Sequence, residues 1–225
     1  MRLFRHELRN QQRLFWRNRE SAVFVFVFPP MLYLLLGAVY TGTSEGFKLA
    51  DVLLVGLIGY GCANTAFAGL AITLVIRRES GVLKRIRATP LPPATYLGAF
   101  LTSTLFVFVL QMLLTIALGV TLYGATGPEN RLGMIPVVLL GGACFAGLGF
   151  GATAMIRSSE GASAVVNLIV LPMAFLSGLF GPTRHYPQVL QWIADVLPHE
   201  FAAYMEGQME FGLAAMQKRL GRKTA

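Results

Sequence analysis

Charge is scarce in this sequence, and it is missing from the interior of every long apolar run. Only 13% of the 225 residues are Asp, Glu, Lys or Arg, whereas 55% are hydrophobic and the mean hydropathy is +0.59. Since a soluble domain carries about 25% charged residues, this composition excludes an ordinary soluble fold. It predicts an integral membrane protein.

The sequence also lacks the motifs of common enzymes. It contains no His-Glu-x-x-His, no Gly-x-Ser-x-Gly and no Cys or His cluster with metal-ligand spacing. A Gly-x-x-x-x-Gly-Lys-Ser/Thr phosphate loop is missing too, so we expect this chain to hydrolyse no ATP and to bind no cofactor or metal. The apolar runs contain no Asp or Glu, which argues against proton- or sodium-driven transport. Energy for uphill transport would have to come from another polypeptide.

Five apolar runs are long enough to cross a membrane. A hydrocarbon core of about 30 Å needs about 20 helical residues at 1.5 Å each. The runs cover Ser21–Tyr40, Val52–Ile76, Tyr96–Tyr123, Gly133–Ile156 and Ala162–Phe180. The predicted fold class is an all-α integral membrane protein, with five clear transmembrane helices in a domain at residues 21–183.

Basic residues accumulate on alternate sides of these runs. Six arginines precede the first run, five Lys and Arg residues follow the second, and Arg157 follows the fourth. The intervening loops hold only Lys48, Arg131 and Arg184. The positive-inside rule therefore predicts a multi-pass plasma-membrane protein with its N-terminus in the cytoplasm. Because topology accounts for the net charge of +8, we expect membrane lipids and no nucleic acid among its partners.

Residues 1–20 have an amphipathic helical pattern ahead of the first run. Arginines fill much of one side, and apolar residues share the other: Phe4, Leu8 and Phe15, with Trp16 at the flank. Such a helix is predicted to lie in the membrane interface, its aromatic face toward the lipid and its arginines among lipid phosphates. It is interpreted either as a plain anchor or as an elbow that transmits motion.

The most distinctive segment, Arg77–Pro93, lies between the second and third runs and reads RRESGVLKRIRATPLPP. At 100° per residue its apolar positions share one side of a short helix and its cations lie outside that arc. These residues are Val82, Leu83 and Ile86 against Lys84, Arg85 and Arg87. Prolines from Pro90 onward end the helix. The segment is interpreted as a surface for a partner, although a positive loop that only orients the chain also accounts for the charges.

Uncharged polar residues at membrane depth are few. The set consists of Asn64, Thr65, Thr73, Gln111 and Asn167. All of these except Thr73 are considered a candidate substrate path. Gly147 and Gly151 have a Gly-x-x-x-Gly spacing, which permits close helix–helix approach. Transporters, channels and membrane enzymes all use this spacing, so it does not by itself identify a function.

After the fifth run, residues 184–198 form a short amphipathic segment with Trp192 at an interface position. Too short to span, it is predicted to lie at the outer membrane surface or to dip back into it, with a simple amphipathic loop as the alternative. Residues 199–225 form an atypical segment with a basic tail. Placing Glu206 and Glu210 in a sixth span would cost about 5–7 kcal/mol, yet five spans would leave the basic tail outside. We expect a missing or degenerate sixth span.

In their order and spacing these segments resemble the membrane subunit, or permease, of type-2 ABC exporters, which include drug-resistance and cell-surface glycan exporters. That family has Glu-x-Gly-x-Leu-x-Arg and a Thr-Pro-Leu-like end in the loop after its second span. Its fifth span ends in Leu-Ser-Gly, followed by Pro, Pro and Leu-Pro. The matching residues are Glu79, Gly81, Leu83, Arg85, Thr89, Pro90, Leu91, Leu176, Ser177, Gly178, Pro182, Pro187, Leu197 and Pro198. The resemblance extends from the N-terminal helix to about Pro198.

The resemblance implies a coupling helix at residues 79–89 that docks in a cleft of a separate ATP-binding subunit. The implied coupling residues are Glu79, Gly81, Val82, Leu83, Lys84, Arg85, Ile86, Arg87 and Pro90. ATP and magnesium would bind that partner. Two permease copies, identical or different, would assemble with two ATPase subunits in the bacterial inner membrane. Within this scheme Glu79 and Arg85 are expected to fix the helix in the interface.

The sequence does not identify the cargo, and it leaves two other functional classes as alternatives. Mostly apolar spans favour export of a lipophilic or amphipathic cargo, with a polysaccharide or lipid-linked glycan exporter as the alternative within the family. A non-transporting scaffold that recruits an ATPase is a second alternative, favoured if the sixth span is missing. A membrane enzyme or channel is disfavoured because intramembrane acids and ligand clusters are lacking.

Overall fold

The computed structural model describes residues 2–39, 43–44, 47–125 and 131–176. Within these ranges the chain is helical, apart from short turns and an antiparallel pair of two-residue strands, β1 (Thr43–Ser44) and β2 (Phe47–Lys48). The predicted all-α class is therefore confirmed. Residues 184–198 and 199–225 lie outside the described part, as do all the predicted outer-surface residues: Ser177, Gly178, Pro182, Pro187, Trp192 and Pro198.

Eight α-helices and one π-helical segment make up most of the described chain. In order they are α1 (Arg2–Arg17), α2 (Arg19–Val39), α3 (Leu49–Cys62), the π-helical segment (Ala63–Gly69), α4 (Leu70–Glu79), α5 (Val82–Arg87), α6 (Pro93–Tyr123), α7 (Arg131–Met155) and α8 (Ser159–Leu176). The π-helical segment joins α3 to α4 end to end, so the second predicted span is one long helix with a wider central turn.

Within the described residues, four helical stretches are long and apolar enough to cross a membrane. They are Arg19–Val39, Leu53–Glu79, Pro93–Tyr123 and Ile135–Met155, and they overlap the first four predicted runs. The fifth run begins in α8, which is described as far as Leu176. The chain is a multi-pass membrane protein.

The second span lies at the centre of the described helices. In its most apolar stretch 78% of the residues are buried, against 28–33% in the other three spans. Small side chains permit this burial, since Ala63, Ala66 and Ala71 are each at most 5% exposed. Because α2, α6, α7 and α8 all pack against this span, a movement of it would displace four other helices.

Two glycines allow neighbouring helices to approach the second span closely. A Cβ at Gly149 of α7 would lie 3.0 Å from the carbonyl oxygen of Phe67, in the π-helical segment. A Cβ at Gly61 would occupy the space filled by the Gln111 amide of α6. Gly149 can approach the Phe67 backbone, and Gly61 the Gln111 side chain, only because glycine has no Cβ.

Candidate functional site

The chain turns sharply at Gly81, between the end of the second span and α5. Gly81 has φ +74°, a left-handed conformation that residues with a Cβ rarely adopt. Its N–H donates a hydrogen bond of 3.2 Å to the carbonyl oxygen of Arg78. Only Ser80 and Gly81 separate the two helices, so α5 is attached directly to the central span.

Both predicted sides of α5 are accessible in the described structure. Its cations are exposed and its apolar residues are half-buried: Lys84, Arg85 and Arg87 against Val82, Leu83 and Ile86. The helix ends where Thr89 Oγ1 donates a hydrogen bond of 2.6 Å to the carbonyl oxygen of Ile86. Pro92 is then extended, and α6 starts at Pro93, a residue suited to a first helical position. An apolar and cationic surface thus stands at the end of the second span.

Arg77, two residues before the end of α4, joins the second span to α1 and α6. Its Nη1 donates hydrogen bonds to Gln11 Oε1 at 2.8 Å and to the Tyr96 hydroxyl at 2.7 Å. The guanidinium also lies 4.7 Å from the ring centroid of Phe100, within cation–π range. Gln11 Nε2 in turn donates to Glu7 Oε1 at 2.6 Å. One arginine therefore links three helices.

Arg78 and Glu79 hold the turn between α7 and α8. Arg78 Nη1 donates to the carbonyl oxygen of Thr153 at 2.8 Å, and its Nη2 donates to the carbonyl oxygen of Ile156. Glu79 Oε2 accepts a hydrogen bond of 2.6 Å from the backbone N–H of Ser159, the first residue of α8. A cation thus meets the negative end of the α7 dipole, and an anion meets the positive end of α8.

Three consecutive charged residues therefore contact different parts of the molecule. Successive side chains on a helix point about 100° apart, so Arg77, Arg78 and Glu79 reach different neighbours from the end of one central helix. The family resemblance implies Glu79 only as a contact to the ATP-binding subunit, and it singles out neither arginine. The available signal was the run of three charges directly after an apolar span.

The inward face of α1 is polar, which the amphipathic pattern did not indicate. Glu7 and Gln11 are 9% and 3% exposed, respectively. Gln12 is the next residue in the helix, and its Nε2 donates to both the carbonyl oxygen and the hydroxyl of Ser103 in α6, at 3.1 and 2.9 Å. These side chains attach α1 to the spans by hydrogen bonds in addition to apolar contact.

The aromatic side of α1 packs on helices of its own chain. Phe4 lies beside Gly98 of α6, and Phe15 and Trp16 contact Phe26 of α2, with centroid distances of 6.4 and 5.4 Å. Leu8 is half-buried on the same helix. Trp16 is still 49% exposed, so only part of this face is free for lipid. The sequence could not distinguish a lipid surface from an apolar neighbouring helix.

The four polar residues considered as a substrate path lie in different environments. Thr65 and Gln111 are buried, Asn64 is half-buried, and Asn167 is exposed on α8. Gln111 Nε2 donates to Thr115 Oγ1 at 3.1 Å, whereas Thr65 Oγ1 and Gln111 Oε1 accept no hydrogen bond in the described part of the chain. The substrate path itself stays a prediction.

A single protein-family model covers all of the contacts described above. The family model of the ABC-2 type transporter matches residues 2–207, a range that contains α1, the described spans, the Arg77–Glu79 contacts and α5. Comparison with curated proteins and with solved structures gave no match. The sequence resemblance and the family match therefore cover the same stretch of chain.

Proposed function

Since the chain belongs to the ABC-2 type transporter family, we propose that α5 is the coupling helix through which a separate ATP-binding subunit drives export by this permease. Family membership makes the chain the transmembrane subunit of an ABC transporter, which works with an ABC-type ATP-binding partner. ATP and magnesium then bind to that partner. The permease pairs with a second copy, identical or different, in a bacterial inner membrane with its N-terminus in the cytoplasm.

The surface chemistry of α5 supports docking in a cleft. Val82, Leu83 and Ile86 offer a half-buried apolar strip that a hydrophobic cleft would cover. The exposed cations beside it suit an acidic rim, which would speed association and fix the orientation of the helix. α5 has both features and is joined to the second span by two residues. A movement of a docked ATP-binding subunit would therefore be transmitted through α5 to that span.

One observation carries the proposal: the contacts of Arg77, Arg78 and Glu79 lie directly at the base of α5. A displacement of α5 moves the end of α4, and these side chains are hydrogen-bonded to α1, α6, α7 and α8. Small shifts are amplified when packed elements have two discrete arrangements. Nucleotide-driven closure of the ATPases would therefore be transmitted to several spans together.

The cargo is proposed to be lipophilic or amphipathic. The described spans are strongly apolar, with mean hydropathies of 1.5 to 2.4 in their most apolar stretches. The candidate path residues Asn64, Thr65, Gln111 and Asn167 are uncharged. Such a surface interacts with apolar groups more readily than with a long hydrophilic polymer.

The test uses the permease with its co-purified ATP-binding subunit in proteoliposomes. A triple variant, K84Q/R85Q/R87Q, removes the α5 cations, and R5Q/R9Q/R13Q removes three charges from α1 as the matched control. We expect only the α5 variant to lose the ATP-binding subunit on purification and to lose ATP-dependent transport. Wild-type assembly and transport by the α5 variant would exclude α5 as the coupling helix. Assembly without any substrate-dependent hydrolysis in the native complex would favour a scaffold.

A further inference from the structure

Four arginines form a stripe along one side of α1. Arg2, Arg5, Arg9 and Arg13 follow one another at intervals of three, four and four residues. At 100° per residue they lie within about 80° of the helix circumference. The stripe extends for about 16 Å at 1.5 Å per residue. We call these four residues the arginine face.

The arginine face points away from the rest of the chain. All four residues are exposed, whereas Glu7 and Gln11, on the opposite side of α1, are buried against the spans. In the part of the chain that the structure describes, none of the four guanidinium groups has an ion-pair or hydrogen-bond partner. The face therefore presents four charges to whatever surrounds α1.

The position of α1 along the spans indicates what surrounds it. Phe4 lies beside Gly98, and Gln12 bonds to Ser103. These are the fifth and tenth residues after the start of α6 at Pro93, or about 7 and 15 Å along its axis. Trp16 stacks on Phe26 of α2, seven residues into that span. α1 therefore lies alongside the first turns of these two spans, and not beyond them as α5 does.

We infer that the arginine face binds the phosphates of anionic phospholipids in the membrane leaflet. Guanidinium groups suit this role because their planar donors match phosphate oxygens in pairs. The position of α1 alongside the spans favours a lipid over the soluble ATP-binding subunit as the occupant. The inference rests on the membrane placement within the proposed function, and it does not depend on α5 being the coupling helix.

Trp16 provides a local reporter, since it is half-exposed at the edge of the arginine face. The chain contains two tryptophans, so Trp192→Phe leaves Trp16 alone. The intact chain, in neutral detergent micelles, is titrated with brominated phosphatidylglycerol or brominated phosphatidylcholine, which quench tryptophan fluorescence on contact. We expect a strong preference for phosphatidylglycerol. R5Q/R9Q/R13Q should lower the affinity for it about 100-fold, at roughly five-fold per arginine.

Three controls separate a local site from a general charge effect. K84Q/R85Q/R87Q removes three positive charges from α5 and should keep the full preference for phosphatidylglycerol. R5K/R9K/R13K keeps the three charges on α1 and should keep most of that preference. Salt at about 1 M, where the Debye length is about 3 Å, should abolish it. If the triple glutamine variant does not fold, as judged by its melting temperature, Arg9→Gln should still weaken binding about five-fold.

The inference is overturned if both lipids quench the native chain equally, or if R5Q/R9Q/R13Q keeps the preference. It is also overturned if that variant loses the ATP-binding subunit but keeps its lipid preference, since the face would then be a protein-docking surface. Loss of the ATP-binding subunit by the α5 variant alone leaves the lipid result unaffected, so failure of either proposal is recognisable.

Discussion

Glu79 Oε2 accepts a 2.6 Å hydrogen bond from the backbone N–H of Ser159, 80 residues further along the chain. The adjacent Arg78 donates to carbonyl oxygens at the end of α7. Each charge has the sign that its helix end favours. The end of the second span and the turn between the fourth and fifth predicted spans are therefore held together by two neighbouring side chains at the base of α5.

The Glu79 contact predicts a separation of assembly from transport. The Glu79 carboxylate is bonded to Ser159 of its own chain, which replaces the expectation that it fixes α5 in the interface with the ATP-binding subunit. Glu79→Ala removes the bond to α8 but leaves the surface of α5 intact, so the ATP-binding subunit should still co-purify. Substrate-dependent ATP hydrolysis and transport should fall by about five-fold or more, the lower end of typical coupling between linked sites. Arg85→Ala, on the exposed side of α5, should instead weaken assembly.

Glu160→Ala is the matched control for Glu79→Ala. Glu160 is also an exposed carboxylate in the first turn of α8. Its removal takes away the same charge at the same helix end, and it should leave transport close to the native rate. Equal losses in both variants would attribute the effect to helix electrostatics and not to the link between α4 and α8.

Arg77 and Gln11 should be energetically coupled. Their side chains share a 2.8 Å hydrogen bond that joins α4 to α1, and hydrogen bonds to charged groups stabilise proteins by about 1.5–3 kcal/mol. A double-mutant cycle of Arg77→Ala and Gln11→Ala, followed by the free energy of unfolding in mixed micelles, should give a coupling of about 1–2 kcal/mol. Gln12 bonds to Ser103 instead, so its cycle with Arg77 should give less than about 0.5 kcal/mol. Similar values for both pairs would contradict a specific bond.

The spans and α5 follow from local patterns, and they were predictable for that reason. An apolar run of about 20 residues, or an apolar strip three to four residues apart, identifies a helix without reference to anything distant. The structure agrees for Leu53–Glu79 and for Val82–Arg87. The all-α class and the amphipathic character of α5 were therefore both predictable from local patterns.

The bonds from Arg77 to Gln11 and from Ser159 to Glu79 were not predictable, because they join residues 66 and 80 positions apart along the chain. From the local sequence, a charged side chain at the end of a span is expected to face water. Only the packing of the helices decides whether it contacts a neighbouring helix instead. The same limit applies to Glu7 and Gln11, which sit among charged residues in α1 yet are buried. Sequence patterns therefore identify the apolar spans but miss the polar groups that join them.

Gly149 should tolerate substitution far less well than Gly151, two residues later in α7. A Cβ at Gly149 would lie 3.0 Å from the Phe67 carbonyl oxygen, whereas a Cβ at Gly151 would have no neighbour within 4 Å. Gly149→Ala should therefore lower the free energy of unfolding by about 1–3 kcal/mol through overpacking. Gly151→Ala should be neutral or raise it by up to about 1 kcal/mol, because alanine is the better helix former. Equal melting temperatures for the two variants would contradict close packing of α7 on the π-helical segment.

Gly81 sets the direction in which α5 leaves the second span, and its replacement should affect coupling through the backbone alone. Its φ is +74°, and a Cβ there would have no neighbour within 4 Å, so Gly81→Ala adds conformational strain of about 1–2 kcal/mol without a clash. The chain can relieve this strain by reorienting α5, none of whose residues is fully buried. We therefore expect a small change in melting temperature but weaker binding of the ATP-binding subunit. Gly81→Asn should lose less, since asparagine adopts left-handed conformations more readily. Binding lost equally in both variants would mean that the side chain, and not the backbone conformation, is what the partner rejects.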